Sequence, residues 1–226
     1  MILYNKGDCN VPSLLFKYLS IERSYDFIKC PNISFAMIKK LIDNHECLCD
    51  SIYNCNVTRD IVRSAHVNCN YGVLCLSEDG HSSKMWDEYA DKGQGIQIAF
   101  NACHSFFELD GAGWSKVKYT EDVPCLPPYE VAITSMEICK QIMSFSMRRK
   151  DLNFAFEAEW RTFKIIDDPD ALKNGFLKLN IPTNILNEIV KVITLGINIP
   201  DDLKELCIKF SKQYDIPLYH CNSYIL

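Results

Sequence analysis

Short apolar and β-prone runs recur along this chain without a regular alternation with helices, and this irregular order constrains the fold most. Residues 14–19 and 33–36 have the composition of early strands. Residues 72–76 form a short apolar run typical of a buried strand, and residues 96–100 alternate as in a half-buried strand. Residues 157–166 predict another strand. A strand-rich body with irregularly inserted helices indicates an α+β fold.

The last 40 residues carry the clearest local order. Residues 189–195 are strongly β-prone and end at Gly196. Pro200 then suits the start of a helix, and residues 216–220 return as a strand. This order predicts a C-terminal β-α-β piece. A chain of 226 residues without a linker-like stretch is expected to form a single domain over residues 1–226.

Charge and composition exclude some classes of protein. Lys and Arg number 24 against 29 Asp and Glu, so the net charge is −5 and a general nucleic-acid-coating role is disfavoured. The first residues lack a secretory pattern, and no apolar stretch reaches the length of a membrane helix. A cytoplasmic protein with no membrane contact is therefore expected, and its thiols should be reduced.

One segment has spacing that resembles a metal site. It could supply four zinc ligands from His45, Cys47, Cys49, Cys55, His66 and Cys69. However, its C-x-C spacing differs from the usual C-x2-C knuckle, and other cysteines are scattered along the chain. We therefore predict no metal, and a long irregular excursion with a short helix near residues 59–66. A second helix is expected over about 130–148, where apolar residues recur at helical intervals.

The first candidate for chemistry is residues 84–91, KMWDEYAD, which predict a short helix capped by Ser82 or Ser83 and closed by Gly93. On such a helix Met85 is expected in the core. Trp86 and Tyr89 each combine an apolar ring with a polar tip, so they either pack in the core or form a cleft wall that stacks a planar ring.

The second candidate is EAEWR at residues 157–161. On a strand, Glu157, Glu159 and Arg161 would project from one face with ~6.5–7 Å between neighbours. They could form a sheet-surface salt bridge. Alternatively they form a polar cleft floor, where a carboxylate stabilises positive charge and the arginine orients it or binds an anion.

These blocks together resemble a large family of bacterial and phage-borne proteins known mainly as a domain of unknown function. The resemblance rests on Lys17-Tyr18 at the end of the first strand, a central MWxxYA…GxxIxF block at residues 85–100, and ExEWR at 157–161. An Ile-rich strand ending at Gly196 completes it. Residues 41–46 depart from the Asn-Asp-Pro-Phe turn usual in that family.

The order of these parts is similar to that of ADP-ribosyltransferases, and this similarity implies a split-sheet core and NAD as a substrate. It implies that Glu159 holds the nicotinamide ribose and stabilises an oxocarbenium-like transition state, while Glu157 orients the acceptor. The implied NAD contacts and cleft walls are Lys17, Tyr18, Trp86, Tyr89 and Arg161. Tyr89 is also counted with the two glutamates as a catalytic candidate.

An ADP-ribosyltransferase-like enzyme, acting as a toxin or phage-defence effector, is the function this similarity implies. Its acceptor would be a protein or nucleic acid, and an antitoxin or defence-system partner is expected. A non-catalytic module that binds a nucleotide or a protein remains an alternative, and a nuclease or other hydrolase is a third. The catalytic hypothesis requires the Glu159 carboxylate to lie in an accessible hollow.

Overall fold

A computed structural model describes residues 11–37, 50–51, 71–108, 113–121, 125–126 and 148–221. The helices of these parts are α1 (Ile21–Lys29), α2 (Ser83–Tyr89), α3 (Pro169–Asn174), α4 (Leu186–Ile189) and α5 (Asp201–Tyr214). The strands are β1 (Leu14–Leu19), β2 (Asn32–Met37), β3 (Asp50–Ser51), β4 (Tyr71–Ser77), β5 (Ile96–Asn101), β6 (Ser115–Lys116), β7 (Lys118–Tyr119), β8 (Cys125–Leu126), β9 (Arg149–Lys150), β10 (Glu159–Ile165), β11 (Phe176–Asn180), β12 (Val190–Leu195) and β13 (Leu218–His220). Short 3-10 turns cover Ser105–Phe107, Leu152–Glu157 and Thr183–Ile185.

Most of these strands join one mixed sheet of nine. Its main path runs β11-β2-β4-β1-β5-β12-β13, and β10 pairs with β4 and β6 beside that path. The neighbours are antiparallel except β12 and β13, which are parallel. The fold is therefore a mixed, strand-rich α+β fold, and the predicted C-terminal β-α-β piece is present as β12, α5 and β13.

The sheet forks at β4. Strand β10 pairs with the whole of β4 along one edge, so β1 and β2 must share the other edge. Strand β2 pairs there at Gly72 and Val73, whereas β1 pairs only at Ser77. Residues 74–76 thus have no register partner on that edge within the described residues. We call this gap between β1 and β2 the fork.

The two faces of the sheet are covered differently. The main core lies on the face that carries Leu15, Leu74 and Ile98, and it receives Phe27 from α1 and Phe210 from α5. On the opposite face a smaller cluster packs α2 against β1, through Tyr18, Met85, Trp86 and Ala90. The fork therefore lies between two helix-covered faces.

Several predicted elements are confirmed with small changes of bounds. Strand β1 matches the expected range, and β2, β4, β5 and β12 overlap theirs. Helix α2 begins after Ser82, whose hydroxyl accepts from the Met85 N–H as an N-cap. Met85 lies in the core as expected. No helix was predicted where α1 lies, although Ser20 caps it and its Phe27 face is buried.

Two details of the predicted strands are wrong. Residues 96–100 are buried on both faces, because α2 covers the side of Gln97 and Ala99 that was expected to face solvent. Glu157 and Ala158 are not part of a strand. Glu157 ends a 3-10 turn, Ala158 is left-handed with φ 43°, and β10 begins at Glu159.

The proposed zinc segment at 45–69 and the expected helices near 59–66 and 130–148 lie outside the described residues, apart from the backbone of Asp50–Ser51. Within the described parts, no group of three or more His, Cys, Asp or Glu is placed to hold a metal ion. None of the helices there combines the length and the apolar character that crossing a membrane requires.

Candidate functional site

Four charged side chains are buried together beside the fork. Glu157, Glu159, Lys150 and Arg161 are each 7% exposed or less, and they form two carboxylate–cation pairs. We call these four residues the carboxylate cluster. Their formal charges cancel, which is how a protein interior tolerates ionised groups.

Glu159 is held mainly by Arg161. The Nε of Arg161 donates to Oε1 of Glu159 at 2.8 Å, and Nη2 donates to Oε2 at 3.2 Å. Because alternate residues of β10 share a face, these two side chains lie side by side, as the sequence predicted. Burial alone would raise the pKa of Glu159. The charge and hydrogen bonds of Arg161, followed by the charge of Lys150, outweigh burial and hold this pKa well below its usual range.

Glu157 reaches the same place from a different direction. The left-handed Ala158 turns the chain, so Glu157 approaches from the 3-10 turn and not from the strand. Its Oε2 accepts from Nζ of Lys150 at 2.5 Å, and its Oε1 accepts from the hydroxyl of Tyr89. Burial raises the pKa of Glu157, and the charge of Lys150 only partly offsets it.

The two carboxyls therefore have opposite pKa shifts within one cluster. The pKa of Glu159 lies below its usual range, because Arg161 and Lys150 stabilise its charge, whereas burial raises the pKa of Glu157. Pairs of carboxyls whose environments separate their pKa values are typical of acid–base sites, although structural ion pairs also perturb pKa values.

A cavity of about 370 Å³ opens at the fork. Its walls include Lys17, Leu74, Leu76, Tyr18 and Tyr89. Nζ of Lys17 spans the gap and donates to the backbone carbonyl of Cys75 at 2.8 Å, within residues 74–76 of β4. This volume is within the range of small-molecule sites.

Charged side chains from other elements also line the cavity. Arg23, Lys178 and Asp26 lie there, with Asp26 paired to Lys178 at 3.6 Å and to Arg23 at 4.0 Å. With Lys17, the lining carries three cations and one carboxylate. Ser34 also lines the cavity, and its hydroxyl is buried without a hydrogen-bond partner in the described part of the chain.

The aromatic candidates are divided between the core and the cavity. Trp86 is 2% exposed and packs edge-on against Tyr18, with ring centroids 5.3 Å apart, so it has the core position considered for it. Tyr18 is buried, lines the cavity and donates from its hydroxyl to the backbone carbonyl of Asp79 at 2.8 Å. Tyr89 is 37% exposed and lines the cavity.

The predicted site residues thus form two groups. Lys17, Tyr18 and Tyr89 line the cavity, while the lining does not include Glu157, Glu159, Arg161 or Trp86. Tyr89 connects the groups, because its ring borders the cavity and its hydroxyl binds Glu157. Glu159 does not lie in an accessible hollow, because it is 5% exposed and both its oxygens are bound.

Sequence reasoning missed two residues of this site. Lys150 bonds both glutamates, and no part in a site was predicted for it. The hydroxyl of Tyr119 accepts the backbone N–H of Glu159 at 2.8 Å. Both residues reach the cluster through the parallel pairing of β7 with β9, which leaves no periodic signal in segments of two residues.

Comparison with known proteins gives one match. Residues 85–162 match a family described as protein of unknown function (DUF2971). The matched segment is less than half of the chain, and it contains Tyr89, Lys150 and the ExEWR block but not Lys17 or Tyr18. This supports similarity to an uncharacterised family. No curated protein and no solved structure matches the chain.

Proposed function

We propose that this protein is an ADP-ribosyltransferase-like enzyme that uses NAD as a substrate, with the cavity at the fork as its NAD site. The observation that carries the proposal is the position of Tyr89. Its ring borders the cavity, and its hydroxyl contacts a carboxyl with a raised pKa. A ligand in the cavity that contacts Tyr89 would therefore be one side chain away from the Glu157 carboxyl, whose pKa is raised.

The cavity lining suits a dinucleotide. Its three cations against one carboxylate favour a ligand that carries phosphates, and apolar and aromatic walls favour planar rings. Lys17 uses one donor for the Cys75 carbonyl, and an ammonium group has three donors. The unpartnered Ser34 hydroxyl offers a further contact for a polar ligand.

The proposed reaction breaks the bond between ribose C1′ and the nicotinamide nitrogen. Nicotinamide leaves with the bonding electrons, and an acceptor nucleophile then bonds to C1′ and loses its proton. A carboxylate near the ribose stabilises the positive charge that develops there. One oxygen of Glu157 contacts Tyr89, which borders the cavity, whereas Arg161 binds both oxygens of Glu159. We therefore assign Glu157 to the ribose and Glu159 to positioning, the reverse of what the sequence similarity implied.

The acceptor in this proposal is a macromolecule, either protein or nucleic acid. An enzyme of this kind would act as a toxin or phage-defence effector and would need an antitoxin or another defence-system partner to restrain it. Labelled NAD therefore has to be tested with a complex acceptor mixture.

The proposal is tested by incubating the purified protein with labelled NAD and cell lysate, and measuring label transfer and nicotinamide release. Both products should be lost in Glu157→Gln and strongly reduced in Glu159→Gln. The exposed Glu188 provides a control, since Glu188→Gln should retain activity. Turnover that persists in folded Glu157→Gln contradicts the assignment.

A second candidate is a nucleotide-binding module without turnover. It is favoured by the closed state of the cluster, in which Arg161 binds both oxygens of Glu159, while Lys150 and Tyr89 bind Glu157. Calorimetric titration with NAD separates the two functions. Saturable binding that Lys17→Met weakens, without nicotinamide release, supports the module.

A further inference from the structure

Lys150 is the cation on which the carboxylate cluster depends. It extends from β9 beside Tyr119, in the register that pairs these two residues, and it is 7% exposed. Its Nζ lies 2.5 Å from Oε2 of Glu157, 3.4 Å from Oε2 of Glu159 and 4.8 Å from the ring centre of Phe154. Lysine is rarely this deeply buried unless it is paired, and here two carboxylates lie within bonding distance of its ammonium group.

The two glutamates depend on Lys150 to different extents. Glu159 keeps Arg161 at 2.8 Å if Lys150 is removed. Glu157 accepts hydrogen bonds from Lys150 and from the Tyr89 hydroxyl, and of these two donors Lys150 is the cation. Without it, Glu157 would be a buried carboxylate held by one neutral donor, a state that favours uptake of a proton.

We propose that Lys150 is a positioning residue that favours the charged form of Glu157 and leaves its second oxygen to Tyr89, which borders the cavity. This inference rests on the proposed function for its catalytic meaning, but the state of Glu157 can be measured without catalysis. Lys150 is not among the residues that line the cavity. It acts through Glu157.

Other groups around Glu157 do not replace Lys150. Tyr89 of α2 donates a neutral hydrogen bond, and Tyr119 of β7 is a neutral hydroxyl. Glu159 of β10 repels a second negative charge. Arg161 of the same strand is occupied by Glu159.

The test is a titration of the glutamate side-chain carboxyl carbons by NMR in the full-length protein, with the Glu157 signal assigned by Glu157→Gln. In Lys150→Met the midpoint of Glu157 should rise by about one pH unit or more relative to wild type, and Lys150→Arg should restore much of the difference. If Lys150→Met does not fold, Lys150→Gln keeps a hydrogen-bonding end without the charge and should also shift the midpoint upwards. An unchanged midpoint in either folded neutral variant overturns the proposal.

A matched control is available on the surface. Lys116 and Glu78 form a pair at 2.6 Å, but the lysine is 49% exposed. Lys116→Met should leave the Glu157 midpoint unchanged. A shift of Glu157 in this variant as large as in Lys150→Met would show that any lost lysine has this effect, and would overturn the specific role.

Activity gives the second readout. If the protein releases nicotinamide from NAD, Lys150→Met should lower kcat at pH 7 by about tenfold or more, leave KM nearly unchanged, and recover as the pH is raised through the shifted midpoint. A parallel loss at every pH overturns the positioning role. If no variant cleaves NAD, the proposed function fails, while the NMR midpoint still decides the role of Lys150.

Discussion

Lys17 bridges the fork by donating from Nζ to the backbone carbonyl of Cys75, on a strand with which its own strand β1 pairs at only one residue. The contact links β1 to β4 across the gap between β1 and β2. One side chain therefore has both a structural bond and a place in the cavity wall.

Replacement of Lys17 should affect binding and stability together. We expect Lys17→Met to weaken NAD binding by about tenfold, because a cation near the phosphates is lost, and to destabilise the fold by about 1–3 kcal/mol, because the hydrogen bond from Nζ to the Cys75 carbonyl is lost. Calorimetric binding and urea unfolding measure the two effects. Lys29→Met, at the exposed end of α1, should change neither, and equal losses in both variants would contradict a specific role.

Tyr89→Phe removes the hydroxyl that bonds Glu157 and keeps the aromatic ring beside the cavity. Tyr89→Phe should lower the rate of nicotinamide release by about tenfold, since a hydrogen bond to a charged group contributes about 1.5–3 kcal/mol. The thermal midpoint should also fall, because the buried Glu157 carboxylate loses a hydrogen-bond donor. Tyr219→Phe, on a residue that is 60% exposed, serves as the control. An unchanged rate in Tyr89→Phe would show that the hydrogen bond between Tyr89 and Glu157 does not contribute to the reaction.

The dependence of stability on pH should show two opposite slopes. The pKa of Glu159 is depressed in the folded state, so its contribution is present above the ordinary carboxyl pKa of about 4.3 and is lost as pH falls below it. The pKa of Glu157 is raised, so the folded state holds its proton more tightly, and stability falls as pH rises above about 4.3. Thermal midpoints from pH 3 to 8 should therefore pass through a maximum.

Glu157→Gln should remove the decline on the alkaline side of that maximum and keep the decline in acid. The comparison is made by following the thermal midpoint of both proteins across the same pH series. A decline on the alkaline side that is identical in the variant would assign it to other groups.

Gly196 occupies a site with no room for a side chain. A Cβ there would lie 2.1 Å from the carbonyl oxygen of Gly93 and 2.8 Å from that of Gly95. Gly196→Ala should thus destabilise the fold by roughly 1–3 kcal/mol by separating the end of β12 from the turn before β5. Gly113→Ala is the matched control, because its Cβ would meet nothing within 4 Å, and urea unfolding compares the two.

The parts of the fold that could be predicted from sequence are those with strong local patterns. Strand β1, the Ser82 cap and the β12–α5–β13 tail all have apolar spacing or capping residues that act over a few positions. The fork could not be predicted, because it depends on β1 and β2 sharing an edge of β4 across about 40 to 60 residues of chain.

The candidate site was predictable to a similar extent. The Glu159–Arg161 pair follows from alternation along a strand, and a salt bridge was one of the two interpretations that the sequence allowed. The part played by Lys150 depends on a two-residue strand pairing, and the direction of Glu157 depends on one backbone angle. Neither leaves a periodic trace in the sequence.

That backbone angle has a consequence for the two glutamates. With Ala158 at φ 43° and ψ 50°, the carboxyls of Glu157 and Glu159 approach the Lys150 ammonium group from two directions and do not stand in a row along a strand. The left-handed region is costly for β-branched residues and free for glycine. The backbone conformation of residue 158 therefore controls how closely the two carboxyls approach each other. Valine there would disfavour the left-handed turn and move them apart without altering either carboxyl, whereas glycine would allow the turn.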